Sequence, residues 1–171
     1  MTKREVVFSK DLQNKKLNVI RVFDAPLEQV WDAWTKSEIL DLWWAPKPYK
    51  AQTKAMDFSE GGFWLYCMVG LEDYRSWCKE DYKTIDPKRR ITNDVSFCDE
   101  DGNLNTDFPT MHWEKAFTTT ADETTVGIEI IFDTEADMET LIKMGFEKGF
   151  TAGLDNLADY LSAQKVTAVP Q

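Results

Sequence analysis

The stretch Thr134–Ser162, TEADMETLIKMGFEKGFTAGLDNLADYLS, decides how the rest of the chain is read. Its spacing predicts a single helix of about 40 Å at the usual rise per residue. Thr134 is placed to cap it, Asp137 stands three residues later as in a capping box, and Glu135, Asp137 and Glu139 lie near the positive end of the helix dipole. On a helical projection Met138, Ile142, Gly145, Phe146, Gly149, Gly153, Leu157 and Tyr160 fall on one face, and Lys143, Glu147, Thr151 and Asp155 on the other. One face is therefore expected to be buried. Gly145, Gly149 and Gly153 run down the middle of it, where each gives up about 1 kcal/mol of helix propensity against Ala. Two accounts offset that cost: close approach of helix backbone to a sheet, or space left for a ligand between the two.

Upstream, Tyr49 to Phe132 reads as strands separated by turn signals at Gly61-Gly62, Asp86-Pro87, Asp99 to Gly102 and Thr118 to Thr125, an antiparallel meander. Met111, Trp113 and Phe117 share one parity, as do Val126, Ile128, Ile130 and Phe132, while His112, Glu114, Glu129 and Asp133 share the other. Each of these two strands shows one face to a core. Leu17 to Asp24 alternates in the same way, with Leu17, Val19 and Phe23 on one side. Pro26 suits the first turn of a short helix carrying Leu27, Val30, Trp31 and Trp34, and Ser37 is expected to cap a second one, stopped by Pro46 and Pro48. The order predicts an α+β fold: a curved antiparallel sheet of about six to seven strands wrapped around a long C-terminal helix, with two short helices after the first strand. One domain is expected over residues 1–163, followed by a frayed tail over residues 164–171.

The chain of 171 residues is 43% hydrophobic and has seven Trp, which supplies a core and excludes a disordered chain. A net charge of −10 with no cluster of Lys or Arg would repel phosphate backbones, so nucleic acid is excluded as a partner. Met1 to Glu5 lacks the apolar segment of a signal peptide, and no run is long enough to insert in a membrane; a cytoplasmic protein is expected. Cys67, Cys78 and Cys98 are odd in number and show no metal-knuckle spacing, and His112 is the only histidine, so no metal site and no cofactor are indicated.

Several motifs carry a resemblance. Arg21-x-Phe23-x-Ala25-Pro26 with Val30-Trp31-x-Ala33-Trp34-Thr35, then Leu40-x-x-Trp43-Trp44-x-Pro46, Asp57-Phe58-x-x-Gly61-Gly62-x-Trp64-x-Tyr66-x-Met68, and a final helix with Gly149 and Leu157-x-x-Tyr160-Leu161, stand in this order. The chain from Leu17 to Leu161 resembles the heat-shock protein 90 ATPase activator family, within the SRPBCC or START-like helix-grip superfamily. The resemblance implies a helix-grip fold. It also implies a function from a broad set: binding an apolar small molecule between sheet and helix, cyclase- or hydrolase-like catalysis, or partnership with a chaperone. One departure stands out, for Phe63, Leu65, Cys67 and Val69 occupy positions that are usually polar, which makes both faces of that strand apolar. Leu71 to Asp81, the next hairpin, lacks the glycines of a tight turn.

The candidate cavity residues are Trp43, Trp44, Trp64, Tyr66, Met68, Trp113, Phe117, Phe146 and Phe150, with Gly145, Gly149 and Gly153, since apolar walls with a few polar handles describe most small-molecule sites. Trp43 and Trp44 read more readily as core than as a lid at the cavity mouth, and each of the other aromatic residues reads equally well as core. His112 has the outward parity, which disfavours Ser-His-Asp or Cys-His catalysis, and no catalytic residue is assigned; Tyr66 is the best candidate should catalysis occur. The reading is a binder of an apolar or aromatic small molecule. The extra apolar face of the Phe63 strand is expected to be covered by Glu5 to Leu12 or by a second subunit, which makes a homodimer and a chaperone the candidate protein partners.

Overall fold

The alternation of Met111 to Phe117 and Val126 to Ile130 belongs to two paired strands whose inward residues meet across the sheet. In the computed structural model, which describes residues 5–167, these are β7 (Met111–Thr120) and β8 (Glu123–Ile131). The chain runs β1 (Val7–Asp11), β2 (Lys16–Phe23), α1 (Leu27–Thr35), α2 (Ser37–Trp43), β3 (Lys50–Asp57), β4 (Phe63–Val69), β5 (Arg75–Asp86), β6 (Arg90–Cys98), β7, β8, α3 (Glu135–Lys143) and α4 (Phe146–Thr167). The strands form one antiparallel sheet of eight, ordered β1-β2-β8-β7-β6-β5-β4-β3. The strand count exceeds the expectation because the N-terminal segment is itself a strand.

Register explains the core. Leu17, Ile130, Trp113, Asn93 and Tyr82 lie in one row across five strands, and Val19, Ile128, Lys115 and Ile91 in the next. All nine are buried on the inner face, which α1 packs against and which α4 reaches through Phe150 on Trp113. A period of two along each strand thus becomes a two-dimensional apolar surface that the helices cover.

Four expectations are corrected. The C-terminal helix is two helices. Thr134 does cap α3, accepting a hydrogen bond from the Asp137 amide at 3.0 Å, but the helix ends at Lys143 and Gly145 takes a φ of +87°. That left-handed backbone suits glycine, so Gly145 is an exposed break between helices and not part of a buried stripe. The buried line of α4 is Phe150, Leu154, Leu157 and Leu161, rotated from the expected face because the break resets the helical phase. Ser37 is the first residue of α2, with Lys36 at the cap position, and no side chain caps that end. The helix also continues past the expected tail boundary to Thr167, with Lys165 paired to Asp24 at 2.8 Å; residues 168–171 lie outside those described.

The fourth correction concerns the outer face of β4. Residues 7–11 pair with β2 at the opposite edge of the sheet and cannot cover it. Leu65 is nonetheless only 6% exposed and Cys67 fully buried, within the one chain. The connection after β6 folds over this face: Lys54 Nζ donates to the Glu100 carbonyl at 2.7 Å, Lys79 Nζ lies over the Phe63 ring and Lys54 Nζ over the Trp77 ring. Lysine stems provide apolar cover and their ammonium groups reach the loop. Between β4 and β5 a single tight turn, Leu71–Asp73, replaces glycine with left-handed Glu72 and Asp73.

Candidate ligand cavity

The fold leaves space at one end of the layer between sheet and helix. A cavity of about 190 Å³ lies between the inner faces of β4–β7 and a cover made by α3, the start of α4 and the segment after α2. Tyr66 and Met68 of β4, Ser76 and Cys78 of β5, Val95, Ser96 and Phe97 of β6, and Met111 and Trp113 of β7 form its sheet side. Trp44, Pro46, Leu141, Phe146, Gly149 and Phe150 form the other.

Of the residues singled out from sequence, Trp44, Tyr66, Met68, Trp113, Phe146, Gly149 and Phe150 come together here. Trp43, Trp64, Phe117, Gly145 and Gly153 do not. Trp43 is packed edge-on against Trp34 and donates its Nε1–H to the Ala33 carbonyl at 2.9 Å, so it fixes α2 against α1. Trp64 stacks behind Tyr66 with ring centroids 4.0 Å apart and donates to Thr53 Oγ1, one strand over. Phe117 packs on Trp31 and Trp34 at the far end of β7. Gly145 is the helix break described above.

Gly153 and Gly149, one turn apart on α4, divide the two accounts of the glycines between them. A Cβ on Gly153 would stand 3.0 Å from the Trp44 carbonyl oxygen and 3.5 Å from that of Trp43. The close approach is to the end of α2, not to the sheet, and Asn156 Nδ2 uses it to donate to the Ala45 carbonyl at 3.0 Å, where a helix end leaves carbonyls without partners. A Cβ on Gly149 would meet only Pro46 Cγ, at 3.9 Å. Gly153 is there for contact and Gly149 borders open space.

The walls are held by rings and one buried hydrogen bond. Trp44 donates its Nε1–H to Tyr66 Oη at 2.9 Å and sets its ring edge against Trp64, Tyr66 and Phe150, while Phe146 and Phe150 stack at 5.4 Å. Such edge-to-face arrangements fix ring orientation. Burial holds the Tyr66 phenol well above its usual range, reinforced by Cys78 and Glu80, and burial pushes the Cys78 thiol up to about 12. Both groups are neutral at physiological pH. The cavity therefore has no charged wall.

Behind it lies a polar group that the parity reading passed over. Glu80, Asn93 and Lys115 are buried on the inner face, and Glu80 Oε1 accepts from Asn93 Nδ2 at 3.0 Å and from Lys115 Nζ at 3.3 Å. Lys115 Nζ also lies over the Trp34 and Trp113 rings, at 5.7 and 5.6 Å. Burial raises the Glu80 pKa, with Lys115 opposing. The sequence held a signal for each: Lys115 interrupts the parity of Trp113 and Phe117, and Glu80 that of Cys78 and Tyr82. The same signal marks Arg21, between Val19 and Phe23, which is buried and pairs with Asp155 of α4 at 2.9 Å. Leu141 and Pro46 were not legible as wall residues, because the break at Gly145 and the path after α2 place them.

His112 has the outward position expected of it. Nδ1 meets Asp94 at 2.7 Å and Nε2 meets Asp133 at 2.9 Å, on the side of the sheet away from the cavity. Desolvation lowers its pKa, but the hydrogen bonds to the two carboxylates outweigh this and the net shift is upward. Among the described residues no group of three or more His, Cys, Asp or Glu side chains is placed to hold a metal ion, and no helix is long and apolar enough to cross a membrane.

Most of the chain matches a known family. The model of the family described as "Activator of Hsp90 ATPase homolog 1-like protein" matches residues 24–162. The chain belongs to this family. Among solved structures, an Arthrobacter aurescens protein is similar at a TM-score of 0.87, with 24% identity over 92% of this chain and 91% of that one. A Mycobacterium smegmatis protein is similar at 0.84, with 22% identity over 97% and 99%. A Staphylococcus epidermidis protein is similar at 0.81, with 26% identity over 92% and 94%. No curated protein matches the chain. The family shares the helix-grip fold, and in this member the sheet grips α4 through the row of Phe150, Leu154, Leu157 and Leu161.

Proposed function

We propose that this family member binds an apolar or aromatic small molecule in the cavity between β4–β7 and α3–α4. The observation that carries the reading is a space of about 190 Å³ whose walls are mostly apolar and uncharged, bordered on α4 by a glycine with room at its Cβ. Large rings that pack well elsewhere in the core stop short of filling this end, and an apolar hollow gains from an apolar guest. Catalysis by Tyr66 has less support, since its oxygen already accepts the Trp44 indole proton and its phenol is held neutral by burial, so it lacks the character of a base. The outer face of β4, which motivated a homodimer or a chaperone partner, is covered by the chain's own loop and no longer argues for either.

The test is Gly149→Leu, combined with mass spectrometry of small molecules that co-purify with the protein. The added side chain enters the cavity, so melting temperature should hold while the co-purifying molecule is lost. A stable variant that still carries the molecule would overturn the assignment of the site.

A further inference from the structure

The buried polar group behind the cavity holds the parts of a reaction of its own. Glu80 of β5, Asn93 of β6 and Lys115 of β7 stand on three adjacent strands of the inner face, and all three are buried. Register sets Asn93 opposite Tyr82 on one side and Trp113 on the other, so Glu80 and Lys115 are its diagonal neighbours, within reach of side chains of this length. Asn93 Nδ2 and Lys115 Nζ both donate to a single atom, Glu80 Oε1, at 3.0 and 3.3 Å. A primary amine, a carboxamide and a carboxyl group touching both are the components of an amide exchange. The amine displaces the carboxamide nitrogen while the carboxyl group carries protons between them.

The surroundings favour it. As an ion pair the group is poorly satisfied: Glu80 Oε2 and Asn93 Oδ1 have no hydrogen-bond partner among the described residues, and two charges lie away from water. A proton passed from Lys115 to Glu80 removes both charges and leaves an amine able to attack. Burial, which raises the Glu80 pKa against the opposing effect of Lys115, favours that transfer. Lys115 Nζ lies over the rings of Trp34 and Trp113, whose indole N–H groups also lack partners among the described residues. Trp113 stands directly opposite Asn93, so the cluster has a donor left for the negative charge that gathers on Oδ1 during attack.

We propose that Lys115 and Asn93 form an internal isopeptide bond between β6 and β7, with Glu80 as the catalytic residue and ammonia as the leaving group. Lys115 Nζ gives a proton to Glu80 and bonds to Asn93 Cγ. Glu80 passes its proton to Nδ2 and takes a second from Nζ, and the Cγ–Nδ2 bond breaks. Ion pair and carboxamide become a secondary amide, a neutral Glu80 and free ammonia, so no charge stays buried in the cluster. Until the bond closes, Lys115 and Glu80 remain the ion pair described above. The reaction needs no guest in the cavity.

Mass spectrometry of the whole denatured protein is the test. The wild-type chain should be lighter than its sequence by one ammonia, and proteolysis should yield a branched peptide joining the segment that holds Asn93 to the one that holds Lys115. Glu80→Gln and Lys115→Met should each show the full mass of their own sequences. A wild-type chain of full mass would overturn the proposal, a result that depends on neither variant folding. So would a lighter chain that yields no branched peptide, since a succinimide formed at an asparagine loses the same ammonia, and so would a loss that persists in either variant.

Discussion

The layer between sheet and α4 has two ends built from the same materials and finished differently. At one end Trp34, Trp43 and Phe117 interlock, Lys115 is clamped by Glu80, and Gly153 lets α4 touch the last carbonyls of α2. At the other, Trp44, Tyr66, Trp113 and Phe150 surround empty space beside Gly149. Aromatic content does not separate them. The difference lies in what covers the rings: two short helices close over the first end, while the second is covered by a broken helix and a proline-containing segment. Density at one end supplies the stability that allows the other to remain unfilled.

The sharpest way to break this contrast is at the packed end. Lys115→Met leaves the Glu80 carboxylate buried without its cation, which should cost about 3–5 kcal/mol. Without the cation the folded-state pKa of Glu80 rises further above its unfolded value, so stability is retained at low pH and lost as pH rises through the folded value. Chemical denaturation at several pH values measures this, and adding Glu80→Gln should recover part of the loss. A cost below about 1 kcal/mol would mean that the ion pair is not part of the packing.

Next in size is the pair of glycines. Gly153→Leu must push aside the Trp44 carbonyl and should cost more than about 1–3 kcal/mol despite its gain in helix propensity. Gly149→Ala should instead gain up to about 1 kcal/mol, since its Cβ meets ordinary contact only. Equal effects at the two positions, measured by thermal unfolding, would erase the distinction between the ends.

The smallest effect belongs outside both ends, as a control. His112 holds its proton more tightly when folded, so its contribution is complete below the unfolded value of 6.5 and fades as pH rises through the folded one. His112→Gln should flatten that dependence by less than about 1 kcal/mol, as for other solvent-exposed pairs, and should leave the co-purifying molecule in place. A change in its occupancy would connect the outer face to the cavity.

Much of this was legible in residue order. Alternation in β2, β7 and β8, Pro26, the Thr134 cap and the family motifs led to an α+β sheet gripping a C-terminal helix, because such signals act between neighbours in the chain. Seven of the candidate residues meet at the cavity for the same reason: parity places Tyr66, Met68 and Trp113 on the inner face. Charged residues on that face were visible as interruptions, and it was the assumption that parity is purely apolar that hid Glu80, Lys115 and Arg21.

What sequence alone determined, then, was which strand residues face inward and in what order the elements come, since propensity and periodicity are local. Where the inward residues leave space was decided only by tertiary structure. Gly145, Gly149 and Gly153 are equivalent on a helical projection, yet one takes a left-handed backbone, one borders a cavity and one touches the carbonyls of α2. A glycine presents no side chain that could announce its neighbour. Its role is set by what approaches the missing Cβ, and here that is determined by the path of the chain more than a hundred residues earlier, from Trp43 to Pro46.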